Sequence, residues 1–319
     1  MNEFVTVVIP TYNAEQFVKD ALLSLENVKN IEIIVIDDGS TDGTISAVED
    51  VKKKSKQKYR VIQYEHQGLG YVRNAALNFV DTEFVMFMDS DDIFNAEAFN
   101  KHLEVLKNNA ADIITFSKYA PNSLIYLNSD TRKEIIFDFL HVKNNQLYNG
   151  YIAGAMSKLF RLDVLKSKNV KFAEDIAKGE DALFNVDLIM KANSIQFVNV
   201  SIYKYRNNPN SMSRNITYNI QDASKRFMEC LYPLLRIEWT DEEINTVMAS
   251  IAVHDIYEAL KYKQSVQDWQ IGDWFPNKLS GKNRLYLFLI LKRKYMFLGF
   301  LQKLSVIRTN KLKNEFRNL

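Results

Sequence analysis

Residues Phe84–Asp92 read FVMFMDSDD, five apolar residues running straight into three acids within four positions. A short, unbroken apolar run is the pattern of a strand buried on both faces. Along an extended chain Asp89 and Asp91 point to the same side, and just past a strand end their carboxylates can converge on one ion. The same design occurs twice upstream. Val5–Ile9 (VTVVI) leads into Pro10-Thr11-Tyr12-Asn13, and Ile31–Ile36 (IEIIVI) leads into Asp37-Asp38-Gly39-Ser40. Between the apolar runs lie segments of helical spacing: Asn13–Leu25, Thr41–Lys54 with Thr41 or Asp42 as N-cap, Gly70–Phe79 and Ala96–Asn108. Further strands are expected at Tyr59–Tyr64 and Asp112–Phe116. This alternation predicts an α/β fold, an open and mostly parallel sheet with flanking helices. Ligands bind such sheets outside the carboxyl ends of the strands, where all three polar clusters fall.

The second half is less regular. Residues 120–150 read as an extended loop with a helix at Arg132–Leu140, and Tyr151–Phe160 leads into a helix at Leu162–Lys168. A helix over Gly179–Ala192 opens with Glu180-Asp181, and Ile195–Tyr205 reads as one strand. Helices are then expected at about 219–237, 240–263 and 282–305.

The chain has 319 residues, 47% of them hydrophobic, enough for a sizeable core and for two structural units. Ten of the 41 Lys and Arg lie in residues 282–319 beside a single acid, Glu315, which leaves 31 bases against 38 acids in the rest. An acidic body argues against nucleic acid as a partner. A basic tail rich in Leu, Phe and Tyr suits an anionic membrane surface. Cys230 is the only cysteine, so neither an internal disulfide nor a cysteine metal cluster is available. The start MNEFVTVVIP has no signal-peptide pattern, and the apolar runs Leu285–Leu291 and Tyr295–Leu301 fall far short of the roughly 20 residues that span a bilayer. The expected location is the cytoplasm, peripheral at the inner face of the cell membrane.

Carboxylate oxygens such as those of Asp89, Asp91 and Asp92 suit Mg²⁺ or Mn²⁺, although Asp and Ser also start helices, so a capping turn is the other reading. Carboxylates at Asp37-Asp38 can hydrogen-bond a base or ribose, or cap a turn allowed by Gly39. Tyr12 can stack on a base. Glu180-Asp181 reads either as an acidic pair favoured by a helix dipole or as the seat of a general base. His66, His102, His141 and His254 read as structural or exposed polar residues, Lys158 as a surface residue or one that approaches a ligand, and Trp239, Trp269 and Trp274 as packing residues or stacking platforms.

Taken together, VVIPTYN (Val7–Asn13), IVIDDGSTDGT (Ile34–Thr44), HQGLGYVRNAAL (His66–Leu77), FMDSDD (Phe87–Asp92) and GEDALF (Gly179–Phe184) resemble glycosyltransferase family 2 in order and spacing. The resemblance runs from the start to about residue 215. It implies a Rossmann-like GT-A catalytic domain over 1–215, followed by a helical C-terminal region over 216–319 that ends in the basic tail. It implies an inverting, metal-dependent transfer of a hexosyl or N-acetylhexosaminyl group from a nucleotide-diphosphate sugar, most commonly a UDP-sugar, to a saccharide hydroxyl. The acceptor would be part of a surface polysaccharide, in keeping with a lipid-linked molecule at the membrane. By the same resemblance Pro10, Thr11, Tyr12, Asp38, Arg73, Asp89 and Ser90 would contact the donor. Asp91 would be the main ligand of Mn²⁺ or Mg²⁺, with Asp89 beside it and Asp92 supporting the loop. Asp181 would be the catalytic base, and Tyr203–Arg206 with Ser211 and Ser213 would close near the diphosphate. Gly70 stands where the family often has Ser, Val72 and Ala76 where it has Ala and Gly, and Ala96 where it has Pro. Two rivals carry distinct expectations. A sugar-nucleotide nucleotidyltransferase would need a Gly- and Arg/Lys-rich loop where Tyr12–Glu15 stands, and a non-catalytic binding protein would not need both the Asp89–Asp92 cluster and Asp181.

Overall fold

The computed structural model describes residues 3–108, 110–140, 154–208 and 216–266. The chain divides into two compact units, Met1–Phe139 with Asn145–Asn215, and Leu140–Asn144 with Ile216–Leu319.

The larger unit runs β1 (Val5–Thr11), α1 (Glu15–Ser24), β2 (Ile31–Asp38), α2 (Thr44–Lys52), β3 (Lys58–Tyr64), α3 (Leu69–Ala76), β4 (Phe84–Phe87), β5 (Ile93–Phe94) and α4 (Ala96–Lys107). It continues with β6 (Ile113–Phe116), β7 (Ser123–Tyr126), α5 (Ser129–Phe139), β8 (Lys158–Arg161), α6 (Leu162–Ser167), α7 (Glu180–Lys191), β9 (Ser194–Val198) and β10 (Tyr203–Lys204). Eight strands form one sheet in the order β3-β2-β1-β4-β8-β6-β9-β7. The pairs β3–β2, β2–β1, β1–β4 and β6–β9 are parallel, while β8 runs antiparallel to both β4 and β6, and β7 runs antiparallel to β9. Every residue of β1, β2 and β4 is buried, as their unbroken apolar runs require of strands covered on both faces.

The expected α/β architecture is present, with four differences in detail. The helix expected from Thr41 begins at Thr44 behind Gly43, because Asp42 turns its carboxylate onto the Thr44 N–H (3.0 Å) and hydroxyl from just outside the helix. Two short strands were not expected: β7 occupies a stretch read as loop, and β8, in a stretch given no element, inserts between β4 and β6. The single strand expected at Ile195–Tyr205 is two, β9 and β10, and β10 leaves the large sheet to pair antiparallel with β5. Pro10 stops β1 on one side only: pairing with β4 ends at Val8 and Phe87, while pairing with β2 continues to Thr11 and Asp37.

The smaller unit contains α8 (Ile220–Leu235) and α9 (Asp241–Lys261). Asn219 caps α8 by accepting the Asp222 N–H (3.1 Å). Thr240 and Glu243 form a reciprocal capping box at the start of α9. Ile220, Ala249, Val253, Ile256, Ala259 and Val266 make its core, and Trp239 is buried. No helix among the described residues is long and apolar enough to cross a membrane. The expected helix at 282–305, the basic tail, His141, Ser211, Ser213, Trp269 and Trp274 lie outside the described residues.

Candidate functional site

The carboxyl ends of β2, β1 and β4 stand side by side, and the loops leaving them are stitched together. Thr11 donates its hydroxyl to Asp37 (2.9 Å), and Asp37 also receives the backbone N–H and hydroxyl of Ser40. Asn13 links the same loops through the Ser40 hydroxyl and the Thr41 N–H. Asp38 is buried and turns its carboxylate toward the chain itself, accepting the backbone N–H groups of Gln67 (2.7 Å) and Gly68 (3.0 Å). Gly39 is needed for this approach. It has φ +76°, and a Cβ there would sit 2.8 Å from the His66 backbone nitrogen. Thr11 and Asp38 thus spend their polar atoms on shaping the cleft, and Pro10 is buried within β1. Tyr12 is half exposed, and its ring stacks on His66 at 4.4 Å. His66 in turn lies 2.8 Å from an Asp38 oxygen. The sequence alone gave His66 no part in a site; only the turn-back of the Glu65–Gly68 loop onto Asp38 brings it there.

Gly68 also begins the approach to α3, and α3 carries Arg73. This side chain is 1% exposed, yet it faces three acids: Asp181 at 2.6 Å, Asp89 at 3.3 Å and Glu180 at 3.5 Å. Its guanidinium also lies over the rings of Phe172 (5.1 Å) and Phe87 (6.0 Å). Phe172 stacks on Phe184 of α7 at 4.0 Å, so an aromatic wall lies beneath the charged cluster. Burial works against the charged guanidinium, and Asp181, Asp89 and Glu180 overcome it, raising its pKa. Arg73 thus bridges the acidic loop after β4 and the start of α7.

In the acidic loop, Asp89, Asp91 and Asp92 each offer an oxygen within 4.8 Å of the others. Burial pushes Asp89 up to about 7, against the pull of Arg73 and helped by repulsion from Asp181, Asp92 and Asp91. Burial likewise raises Asp92, moderated by hydrogen bonds from the Arg206 N–H and the Tyr203 hydroxyl. Three hard oxygen donors whose charges repel one another fit a small divalent cation. Ser90 sits between them in the same turn.

Asp181 lies in the first turn of α7, behind Gly179 at φ +81°. Asn185 donates to the Asp181 carbonyl (2.8 Å) and to Gly154 (3.4 Å). Lys158, at the start of β8, is fully buried and donates to the Gly154 carbonyl (2.5 Å). Burial pushes its ammonium down to about 7, opposed by Asp181. The surface reading of Lys158 is therefore replaced by a buried amine near Asp181. Asn74, next to Arg73, fastens α3 to the approach to α7 by exchanging hydrogen bonds with the Phe172 backbone (2.9 Å each way). Gly70 belongs to the same junction, for a Cβ there would come 2.3 Å from the Ala173 carbonyl oxygen, which leaves no room for the serine common at this position.

The other side of the acidic loop is held by the chain after β9. The Tyr203 hydroxyl accepts the Asp89 N–H (3.0 Å), and the Arg206 N–H donates to Asp92 (2.7 Å). Asn208 donates to Asp91 (2.7 Å). Asn208 carried no sequence signal. The predicted residues Arg73, Asp89, Asp91 and Asp181 therefore meet in one cluster, and Tyr12 and Asp38 lie one loop away, joined to it through His66–Gly68 and α3.

The family model described as Glycosyl transferase family 2 matches residues 6–167. EpsJ of Bacillus subtilis (strain 168), an uncharacterized glycosyltransferase, is 28% identical over 224 residues, which are 67% of this chain and 64% of EpsJ. TarS of Staphylococcus aureus (strain MW2), a poly(ribitol-phosphate) beta-N-acetylglucosaminyltransferase, is 29% identical over 212 residues, 63% of this chain and 35% of TarS. The match thus spans less than two thirds of either relative. The crystal structure of S. aureus TarS 1-349 in complex with UDP-GlcNAc superposes with a TM-score of 0.62 at 22% identity, covering 83% of this chain and 77% of that one. The mannosyltransferase PcManGT of Pyrobaculum calidifontis, in complex with GDP-Man and Mn²⁺, gives 0.52 at 15% identity, again over 83% and 77%. These likenesses establish the GT-A fold. With the family model matched across half of its length, on the very strand-end motifs that build the cleft, the chain belongs to glycosyltransferase family 2.

Proposed function

We propose that the protein transfers a hexosyl or N-acetylhexosaminyl group from a nucleotide-diphosphate sugar, in the first instance a UDP-sugar, to a saccharide hydroxyl with inversion at the anomeric carbon. The observation that carries this reading is the Arg73 bridge, which ties Asp181 and the acidic loop into one site. Asp91, with Asp89, would hold Mn²⁺ or Mg²⁺, and a bound divalent cation neutralises negative charge on a departing diphosphate. Tyr12, stacked on His66, offers its exposed ring to the base of the nucleotide, while Thr11, Asp37 and Asp38 keep the loops around it in shape. Asp181 takes the proton from the acceptor hydroxyl as the new bond forms. A single carboxylate base suffices for one displacement, which is why inversion follows. Arg73 holds that carboxylate in place, and Lys158 and Asn185 fix the Gly154 carbonyl beside it.

The UDP-GlcNAc complex of TarS supports a UDP-sugar donor, and the poly(ribitol-phosphate) on which TarS acts supports a polymer as acceptor. The test is release of UDP from a panel of UDP-sugars with Mn²⁺ present, with Asp181→Asn as the control that removes the base. A wild-type protein inert toward every UDP-, GDP- and dTDP-sugar overturns the reading. The basic tail places the enzyme on an anionic membrane in this proposal, each base near such a surface contributing on the order of 1 kcal/mol. Deleting residues 282–319 is expected to lower sedimentation with vesicles containing an anionic lipid; equal sedimentation of both forms contradicts the membrane role.

A further inference from the structure

The three acids after β4 are each gripped by the chain that follows β9. Tyr203 accepts the Asp89 N–H through its hydroxyl (3.0 Å). Arg206 donates its backbone N–H to Asp92 (2.7 Å) and its Nε to the Asp91 carbonyl (2.5 Å). Asn208 donates its side-chain amide to Oδ2 of Asp91 (2.7 Å) across 117 positions of sequence. The segment has its own footing. Tyr203 and Lys204 pair with Phe94 and Ile93, and the Arg206 guanidinium is fixed on α1 by Asp20 (2.9 Å), the Phe17 carbonyl (2.8 Å) and the Phe17 ring.

We propose that Asn208 is a positioning residue of the cation site, holding Oδ2 of Asp91 so that Oδ1 is presented to a divalent metal. The inference rests on the reading of the acidic loop as metal-binding and adds to it a residue from a distant part of the chain. Among the described residues Asn208 supplies the side-chain hydrogen bond made to the Asp91 carboxylate. A carboxylate without such a bond rotates, and can turn away from an ion or present both oxygens. A donor on one oxygen removes that freedom. The residue type matters as well. Lys or Arg in this place would set a positive charge against the metal ion, whereas a carboxamide donates without adding charge. Hydrogen-bond donors to ligating carboxylates orient them and typically change metal affinity by about 10–100-fold when lost.

The experiment measures Mn²⁺ alone, by the paramagnetic resonance signal of the free ion, in full-length wild type, Asn208→Ala and Asp91→Asn. Asp91→Asn is expected to lose Mn²⁺ binding, and Asn208→Ala to bind about 10–100-fold more weakly with the thermal midpoint of the metal-free protein unchanged. Asp91→Asn that binds Mn²⁺ as wild type does overturns the metal reading itself. Loss in Asp91→Asn with wild-type affinity in Asn208→Ala overturns the role of Asn208 alone. Weaker binding that comes with a matching fall in the metal-free thermal midpoint also overturns it, in favour of a structural role.

Discussion

Replacing Asp181 with Asn is expected to lower kcat on the order of 10²–10⁴-fold, the usual contribution of a positioned general base, while the protein stays folded and binds nucleotide normally. The substitution is nearly isosteric. Its amide oxygen still accepts from Arg73 Nη1, which approaches Asp181 to 2.6 Å in the native site, and Asn185 still holds the backbone carbonyl of residue 181. What disappears is the ability to accept a proton from the acceptor hydroxyl. Steady-state kinetics of UDP release, paired with a thermal melt, separates the two. A variant that turns over at a near-native rate places the base elsewhere in the cleft.

Arg73→Met should produce the largest loss of stability of any single change in the site. The arginine is 1% exposed and is the counter-charge of Asp89, Glu180 and Asp181, which are 31%, 22% and 19% exposed. Removing one partner of a buried ionic cluster leaves the others uncompensated and costs about 3–5 kcal/mol. The partial exposure of the acids puts the expectation at the low end of that range. The methionine fills the space over Phe172 and Phe87, so the loss reports charge more than packing. Urea denaturation without metal reads it directly. Mn²⁺ should then stabilise the variant more than the wild type, because a cation at the acidic loop replaces part of the missing positive charge. An unchanged urea midpoint would mean that the three acids do not depend on Arg73.

Much of this site was legible in the sequence because parallel strands buried on both faces must be almost wholly apolar. Acids that end such strands, as in IVIDD and FMDSDD, therefore mark the ligand edge of the sheet. The motif order brought Arg73, Asp89, Asp91 and Asp181 forward, and the fold brings them together. The role of each residue was less legible. Nothing in the sequence says that Asp38 turns inward to hold the Gln67 and Gly68 N–H groups, or that Thr11 is taken by Asp37. Those contacts depend on the register between neighbouring strands and on a loop that folds back.

The short strands β7 and β8 escaped notice for another reason. Each has only four residues, and KLFR and SLIY show no periodicity long enough to tell a strand from a loop. Missing β8 also hid Lys158, whose burial follows from its place between β4 and β6. The resemblance pointed Tyr203–Arg206 toward the diphosphate, but Asn208 meets the acidic loop across 117 positions of chain, a separation at which local pattern carries no information.

The proposed transfer depends on a cation at Asp91 that receives the diphosphate of the donor. Its most direct test is calorimetric titration of UDP into wild type and Asp91→Asn, each with Mn²⁺ and again with a chelator. The expected result is UDP binding that requires both the metal ion and Asp91, with Asp91→Asn in Mn²⁺ reduced to the level of chelated wild type. Equal UDP affinity in all four titrations would contradict it.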